Sequence, residues 1–160
     1  MSWLRALVLG TGLVAVSAAA ARDDEKADKL DPAKLVGTYK ITDGTKAGEK
    51  IGDDAKKWVV TITKKTINLK GEDGIEFEFT YKLDAKADPA TIDMVMTKPK
   101  ELSGKAKGII SSADGEVKLC YHPKGEELPK KFESTKDNGY HLFTLKKEKG
   151  DEKKPTAVAK

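Results

Sequence analysis

The sequence predicts an all-β domain in which about eight antiparallel strands follow one another as an up-and-down meander and form a barrel or a half-open barrel. Apolar residues recur at every second position through most of the chain, as on strands with one buried and one solvated face. Turn sequences rich in glycine and proline separate these runs. No long stretch has the apolar spacing of an amphipathic helix. We expect closure because it pairs both sheet edges and hides the apolar face.

The strands are assigned in chain order from this alternation. It is clearest where Ile75, Phe77, Phe79, Tyr81 and Leu83 alternate with charged or hydroxyl side chains. The other strands are predicted at residues 36–42, 58–62, 67–69, 92–96, 107–111, 117–121 and 140–145. Turn signals fall between them, as at residues 71–74 and 112–115. In the last strand, the sequence leaves open whether the register of His141, Phe143 and Leu145 or that of Tyr140, Leu142 and Thr144 faces inward.

Residues 1–21 are expected to be a signal peptide. Arg5 supplies positive charge, residues 6–16 are apolar or small, and residues 17–21 offer small side chains for cleavage after Ala20 or Ala21. The 16 residues between Arg5 and Arg22 span roughly 24 Å as a helix, less than the ~30 Å hydrocarbon core of a bilayer. A permanent N-terminal anchor is therefore the less favoured alternative. We expect a secreted protein, periplasmic or extracellular, with no stable transmembrane segment after cleavage.

Residues 22–34 are expected to form a linker or a short helical turn. Asp31 is a good N-cap and Pro32 suits the first helical position. Residues 48–56 could hold a second helical turn between the first two strands. The barrel domain is assigned to residues 35–149. Residues 150–160 lack apolar periodicity and are expected to be disordered.

The composition excludes several classes of protein. The chain has 160 residues, a net charge of +4, one cysteine and two histidines, so it suits one domain without an internal disulfide framework. Acidic and basic residues are interleaved, and neighbouring carboxylates weaken the basic field that nucleic acids require. We therefore expect no nucleic-acid partner.

Catalytic and metal-binding motifs are not found either. No Gly-x-Ser-x-Gly elbow and no phosphate-binding loop occurs, so we expect no enzyme, no catalytic residue and no cofactor. Cys120, His122 and His141 are the only soft ligands, and they lack the compact spacing of a zinc site. We therefore predict no metal site, and we expect Cys120 to be a small buried side chain.

Several segments resemble a known family. Leu35-Val36-Gly37-Thr38-Tyr39-Lys40 resembles the Gly-x-Trp opening of lipocalins, with Tyr39 in the tryptophan position. The order of residues 81–84, 88–93, 117–121, 128–134 and 142–147 is similar to that of an uncharacterised lipocalin-like domain family abundant in exported planctomycete proteins. Two departures are Leu128-Pro129, where the family has Arg-Pro, and Ile110, where it has tyrosine. The resemblance implies a lipocalin-like barrel and an exported setting, but no activity.

Two functions remain open for such a barrel. A non-catalytic binding module could hold a small hydrophobic ligand in the barrel interior. The residues predicted to line that site are Trp58, Phe77, Phe79, Tyr81, Met94, Met96 and Tyr121. Alternatively, these side chains fill the core, and the protein is an envelope-associated protein-interaction or structural domain with an envelope protein as its partner.

Overall fold

The computed structural model describes residues 30–149. The helical turns are α1 (Pro32–Leu35), α2 (Asp53–Lys56) and a 3₁₀ turn at Lys100–Leu102. The strands are β1 (Gly37–Lys46), β2 (Glu49–Lys50), β3 (Val59–Ile62), β4 (Thr66–Lys70), β5 (Glu76–Asp84), β6 (Ala90–Lys98), β7 (Lys105–Ala113), β8 (Glu116–His122) and β9 (His141–Lys147). The predicted signal peptide, residues 22–29 of the linker and the predicted disordered tail lie outside the described residues.

The strands form one antiparallel sheet that closes on itself. From β3 onward each strand pairs with the next one in the chain. β1 pairs with β3 on one side and with β9 on the other, which completes an eight-stranded barrel, while the two-residue β2 pairs only with the end of β1. The predicted all-β antiparallel meander is thus confirmed, and the barrel is closed.

The alternating apolar residues face the barrel interior and form the core. Ile62, Ile92 and Val117 are among the residues that are almost completely buried. In the last strand Phe143 and Leu145 are buried, so the register of His141 faces inward. Ile75 was expected on the apolar face of its strand, but it precedes β5 in a turn and is 49% exposed. The turn closes through a hydrogen bond from the Gly71 amide to the Ile75 carbonyl, which holds Ile75 outside the sheet.

One end of the barrel is covered by the segment that precedes β1. Asp31 caps α1 as predicted, because its carboxylate accepts a hydrogen bond of 2.9 Å from the Ala33 amide. Leu30 and Leu35 are buried in the barrel core. The hydroxyl of Tyr39 donates to the Leu35 carbonyl at 2.9 Å and ties α1 to β1. We call this the plugged end.

The opposite end, which we call the open end, carries α2 and three other connections. In an antiparallel meander successive connections alternate between the two ends. The helical turn α2, the turn at residues 71–75, the segment 99–104 and the long segment 123–140 therefore lie together. No helix within residues 30–149 has the length and apolar character needed to cross a bilayer.

The segment 123–140 packs against the outer wall of the barrel. Cys120 pairs with Ile109 on the outer face of β7 and β8, and both side chains are buried, as is Pro129. The Cys120 thiol donates to the Glu133 carbonyl at 3.5 Å, and burial raises its pKa. The expectation that Cys120 is a small buried side chain is confirmed.

Candidate functional site

A cavity of about 300 Å³ lies inside the barrel toward its open end. Its floor is made of buried aliphatic side chains, among them Val60, Ile62, Ile67, Ile110, Val117 and Leu145. An apolar cavity of roughly 150 Å³ is large enough to bind benzene, so this one has room for about a dozen non-hydrogen atoms. The barrel interior is therefore not completely filled by its own side chains.

One wall of the cavity mouth is a stacked aromatic pair. The rings of Trp58 and Phe77 have centroids 5.5 Å apart and an interplanar angle of 17°. Trp58 precedes β3, while Phe77 belongs to β5, where it pairs with Leu69 of β4. All three side chains are only half-buried, so they present apolar surface at the entrance.

The other wall is formed by Tyr121, His141 and Phe143. The ring centroids of Tyr121 and His141 are 5.2 Å apart, and those of Tyr121 and Phe143 are 6.2 Å apart. Gly44 lies opposite Phe143 on β1, and a Cβ atom at Gly44 would lie 2.8 Å from Cδ1 of that ring. The Phe143 ring therefore needs a glycine at this position.

The polar side chains of the cavity form a single row across three adjacent strands. His141 on β9 is the register partner of Lys46 on β1 and of Tyr121 on β8, and all three line the cavity. The Lys46 ammonium lies 5.8 Å from the centroid of the Phe143 ring. Nδ1 of His141 and the Tyr121 hydroxyl are 3.3 Å apart, within hydrogen-bond distance. We call Lys46, His141 and Tyr121 the polar row.

Burial controls the ionisation of this row. It raises the pKa of Tyr121 to about 12, so the phenol is neutral at physiological pH. It also lowers the pKa of His141, and the neighbouring Lys46 and His122 side chains lower it further. His141 is therefore neutral at pH 7, and Lys46 carries the charge of the row.

Six of the seven residues predicted to line a ligand site do line the cavity. These are Trp58, Phe77, Phe79, Met94, Met96 and Tyr121. Tyr81 does not line it, because it lies nearer the plugged end of β5, where its hydroxyl donates to the Thr63 carbonyl at 2.7 Å. Tyr81 instead packs against the hydrophobic core.

Sequence reasoning missed Lys46, His141 and Phe143 as cavity residues. The predicted first strand ended at residue 42, whereas β1 continues to Lys46. A β-bulge between Ile41 and Asp43 also shifts the register. Simple alternation from Tyr39 and Ile41 would point Asp43 and Thr45 inward, but the bulge turns Gly44 inward and brings the exposed Lys46 to the cavity lining instead. One signal in the sequence could have found His141 and Phe143. This is the alternation of the last strand, for which the sequence left open which of two registers faces inward.

The three soft metal ligands are divided between two faces of the sheet. Cys120 pairs with Leu142 on the outer face, whereas His141 faces the cavity. Within residues 30–149, no three His, Cys, Asp or Glu side chains are grouped so that they could hold a metal ion.

Comparison with known proteins provides no functional residues to transfer to this chain. No family model matches it, and no curated protein matches it. The geometry and chemistry of the cavity are therefore the basis for the function proposed below.

Proposed function

We propose that the chain is an exported, non-catalytic binding protein that holds one small apolar molecule in its barrel. The observation that carries this proposal is the apolar cavity of about 300 Å³ between the plugged end and the open end. Protein interiors are normally packed without voids of this size, and ligand pockets begin at roughly 300 Å³. The mouth is lined by half-buried aromatic side chains, which offer large apolar contact areas, and by Met96, whose flexible side chain adapts to irregular ligands.

The chemistry of the cavity supports binding without catalysis. Of the ionisable side chains that line it, Tyr121 and His141 are neutral at physiological pH and contact each other. A phenol whose pKa is about 12 is a poor nucleophile at neutral pH. No carboxylate among the described residues lines the cavity to act as a general acid or base.

Family membership and export are also part of the proposal. The order of the motifs supports membership of the lipocalin-like family, and a closed eight-stranded barrel is the fold that this resemblance implies. The charged, apolar and small-residue regions of residues 1–21 support export.

Binding can be followed with 1-decanol and the fluorescence of Trp58, which lines the cavity. The other tryptophan is Trp3, so the titration uses a Trp3→Phe chain. We expect a saturable change in emission. Ala55→Phe places a ring at the cavity mouth and should weaken binding several-fold, because Ala55 of α2 lines the cavity. Lys56→Phe, on the same turn but outside the lining, is the matched control and should leave binding unchanged.

Failure of this titration would contradict the proposal. The decisive negative result is an unchanged Trp58 emission together with no retained ligand in native mass spectra of protein from its own host. The alternative function, an envelope-associated protein-interaction or structural domain, would then be preferred. The exposed apolar side chains of Ile75, Leu102 and Leu128 belong to three connections of the open end and would be its contact surface.

A further inference from the structure

The polar row lies at the rim of the cavity and gives it a charge, whereas the deeper part of the cavity is apolar. Lys46, His141 and Tyr121 lie at the ends of their strands that face the open end. The next inward-facing residues of β9 are Phe143 and then Leu145, both buried. At about 3.4 Å per residue, His141 and Leu145 are separated by roughly 14 Å along the strand. The cavity is therefore amphipathic along its own axis.

The rim has one carboxylate in register, because Glu49 of β2 is opposite Lys46, but the Glu49 carboxylate lies 3.9 Å from the Lys136 ammonium. Lys46 takes part in none of the ion pairs found within residues 30–149. No carboxylate of that part of the chain lines the cavity. The titratable groups that act on His141 are Lys46 on β1 and His122 on β8, and both oppose its protonation. The rim therefore has one fixed positive charge, while its hydroxyl and imidazole groups can donate hydrogen bonds.

We propose that the cavity binds an anionic amphiphile, an alkyl carboxylate of about ten carbons in all, whose head group contacts Lys46, His141 and Tyr121 and whose chain extends toward the plugged end. This inference rests on the proposed binding function and names the class of ligand. A carboxylate can accept charge-assisted hydrogen bonds from the Lys46 ammonium and the Tyr121 hydroxyl. Of the roughly dozen non-hydrogen atoms that the cavity holds, three belong to the carboxylate and the rest to the chain.

Other head groups fit the rim less well. A quaternary ammonium would be repelled by Lys46 and could not accept a hydrogen bond from Tyr121. An uncharged alcohol would fill the same apolar part of the cavity but would form no ion pair with Lys46. The charge of the head group is therefore the property that separates this inference from simple apolar binding.

The test compares sodium decanoate, 1-decanol and decyltrimethylammonium by isothermal titration calorimetry at pH 7.5 and low salt. We expect decanoate to bind about tenfold more tightly than decanol, because a hydrogen bond to a charged group contributes affinity of that size. Decyltrimethylammonium should bind most weakly. Lys46→Met should lower decanoate affinity about tenfold and leave decanol affinity unchanged. Lys50→Met is the matched control, because Lys50 is exposed on β2 and does not line the cavity.

A second readout locates the head group. A carboxylate beside His141 favours its protonated form, so decanoate should raise the pKa of His141 in an NMR titration of the imidazole, whereas decanol should not.

Three outcomes would overturn the inference. Equal affinities for decanoate and decanol, unaffected by Lys46→Met, would leave the proposed apolar binding intact but remove the role of the polar row. An equal loss of decanoate affinity in Lys50→Met would assign the effect to general surface charge. Binding of neither ligand would contradict both this inference and the proposed function.

Discussion

At the scale of single residues, the bulge in β1 decides what the cavity presents to a ligand. It lies between Ile41 and Asp43 and exchanges the two faces of the strand beyond it. Gly44 then leaves room for the Phe143 ring, and Lys46 joins the polar row. Without the bulge, Lys46 would lie on the outer face and the rim would have no fixed charge.

His141 should make stability depend on pH. Its pKa in the folded state lies below the unfolded value of about 6.5, so in this range the unfolded state binds more protons. The stabilising contribution of neutral His141 to the free energy of unfolding is therefore fully present above pH 6.5, and it is lost as the pH falls through 6.5 toward the folded pKa. Thermal unfolding measured from pH 7.5 to 5 should show a smaller loss of stability in His141→Gln than in the unchanged protein.

The matched control for this prediction is His122→Gln, because His122 pairs with Lys107 and lies on the outer face of β8. It should retain most of the pH dependence. Identical pH profiles for His141→Gln and the unchanged protein would show that burial of the imidazole does not affect folding.

At the scale of elements, two segments outside the strands pack against the barrel and complete the domain. The turn α1 covers the plugged end with Leu35, which is 1% exposed. The segment 123–140 is held in place by hydrogen bonds within it and to the turn after β1. The Ser134 hydroxyl donates to the Tyr140 carbonyl at 2.6 Å and accepts from the Gly48 amide at 3.2 Å. This long connection is thus an ordered part of the open end.

Truncation of the Leu35 side chain, which covers the plugged end, should destabilise the fold. Leu35→Ala removes buried methyl groups and leaves a cavity, so we expect a loss of about 2–5 kcal/mol in the free energy of unfolding. Urea denaturation measures this loss. Leu102→Ala is the control: Leu102 is 58% exposed, and its truncation should change stability by no more than about 0.5 kcal/mol. Similar losses in the two variants would mean that α1 does not close the barrel.

At the scale of the whole molecule, closure of the sheet explains how the sequence yields a barrel with a hollow interior. The pairing of β1 with β9 satisfies both edge strands of the meander. Apolar alternation then places large side chains inside, and eight strands leave an interior that is either just filled or holds one small ligand. Here the interior is not completely filled, because a cavity of about 300 Å³ remains inside the barrel.

Export should remove the first 20 or 21 residues from the chain. We expect N-terminal sequencing of the exported protein to begin at Ala21 or Arg22, because small side chains precede both positions. Val8→Arg combined with Leu13→Arg interrupts the apolar run and should leave the chain unprocessed inside the cell. Ser2→Arg keeps that run intact and should be processed normally. A mature protein that retains Trp3 would identify the segment as an anchor.

The sequence by itself determined the strands, the capped turn α1 and six of the seven cavity residues that it predicted. Alternation, capping and turn chemistry act between near neighbours, and they can be recognised without knowing the fold. Only the tertiary structure decided that the interior is hollow, that Tyr81 lies below the cavity and that Lys46, His141 and Tyr121 share one row. These features depend on the bulge in β1 and on its pairing with β9, which joins residues from opposite ends of the domain. A one-residue shift there changes which side chains face inward, and no local pattern specifies that shift.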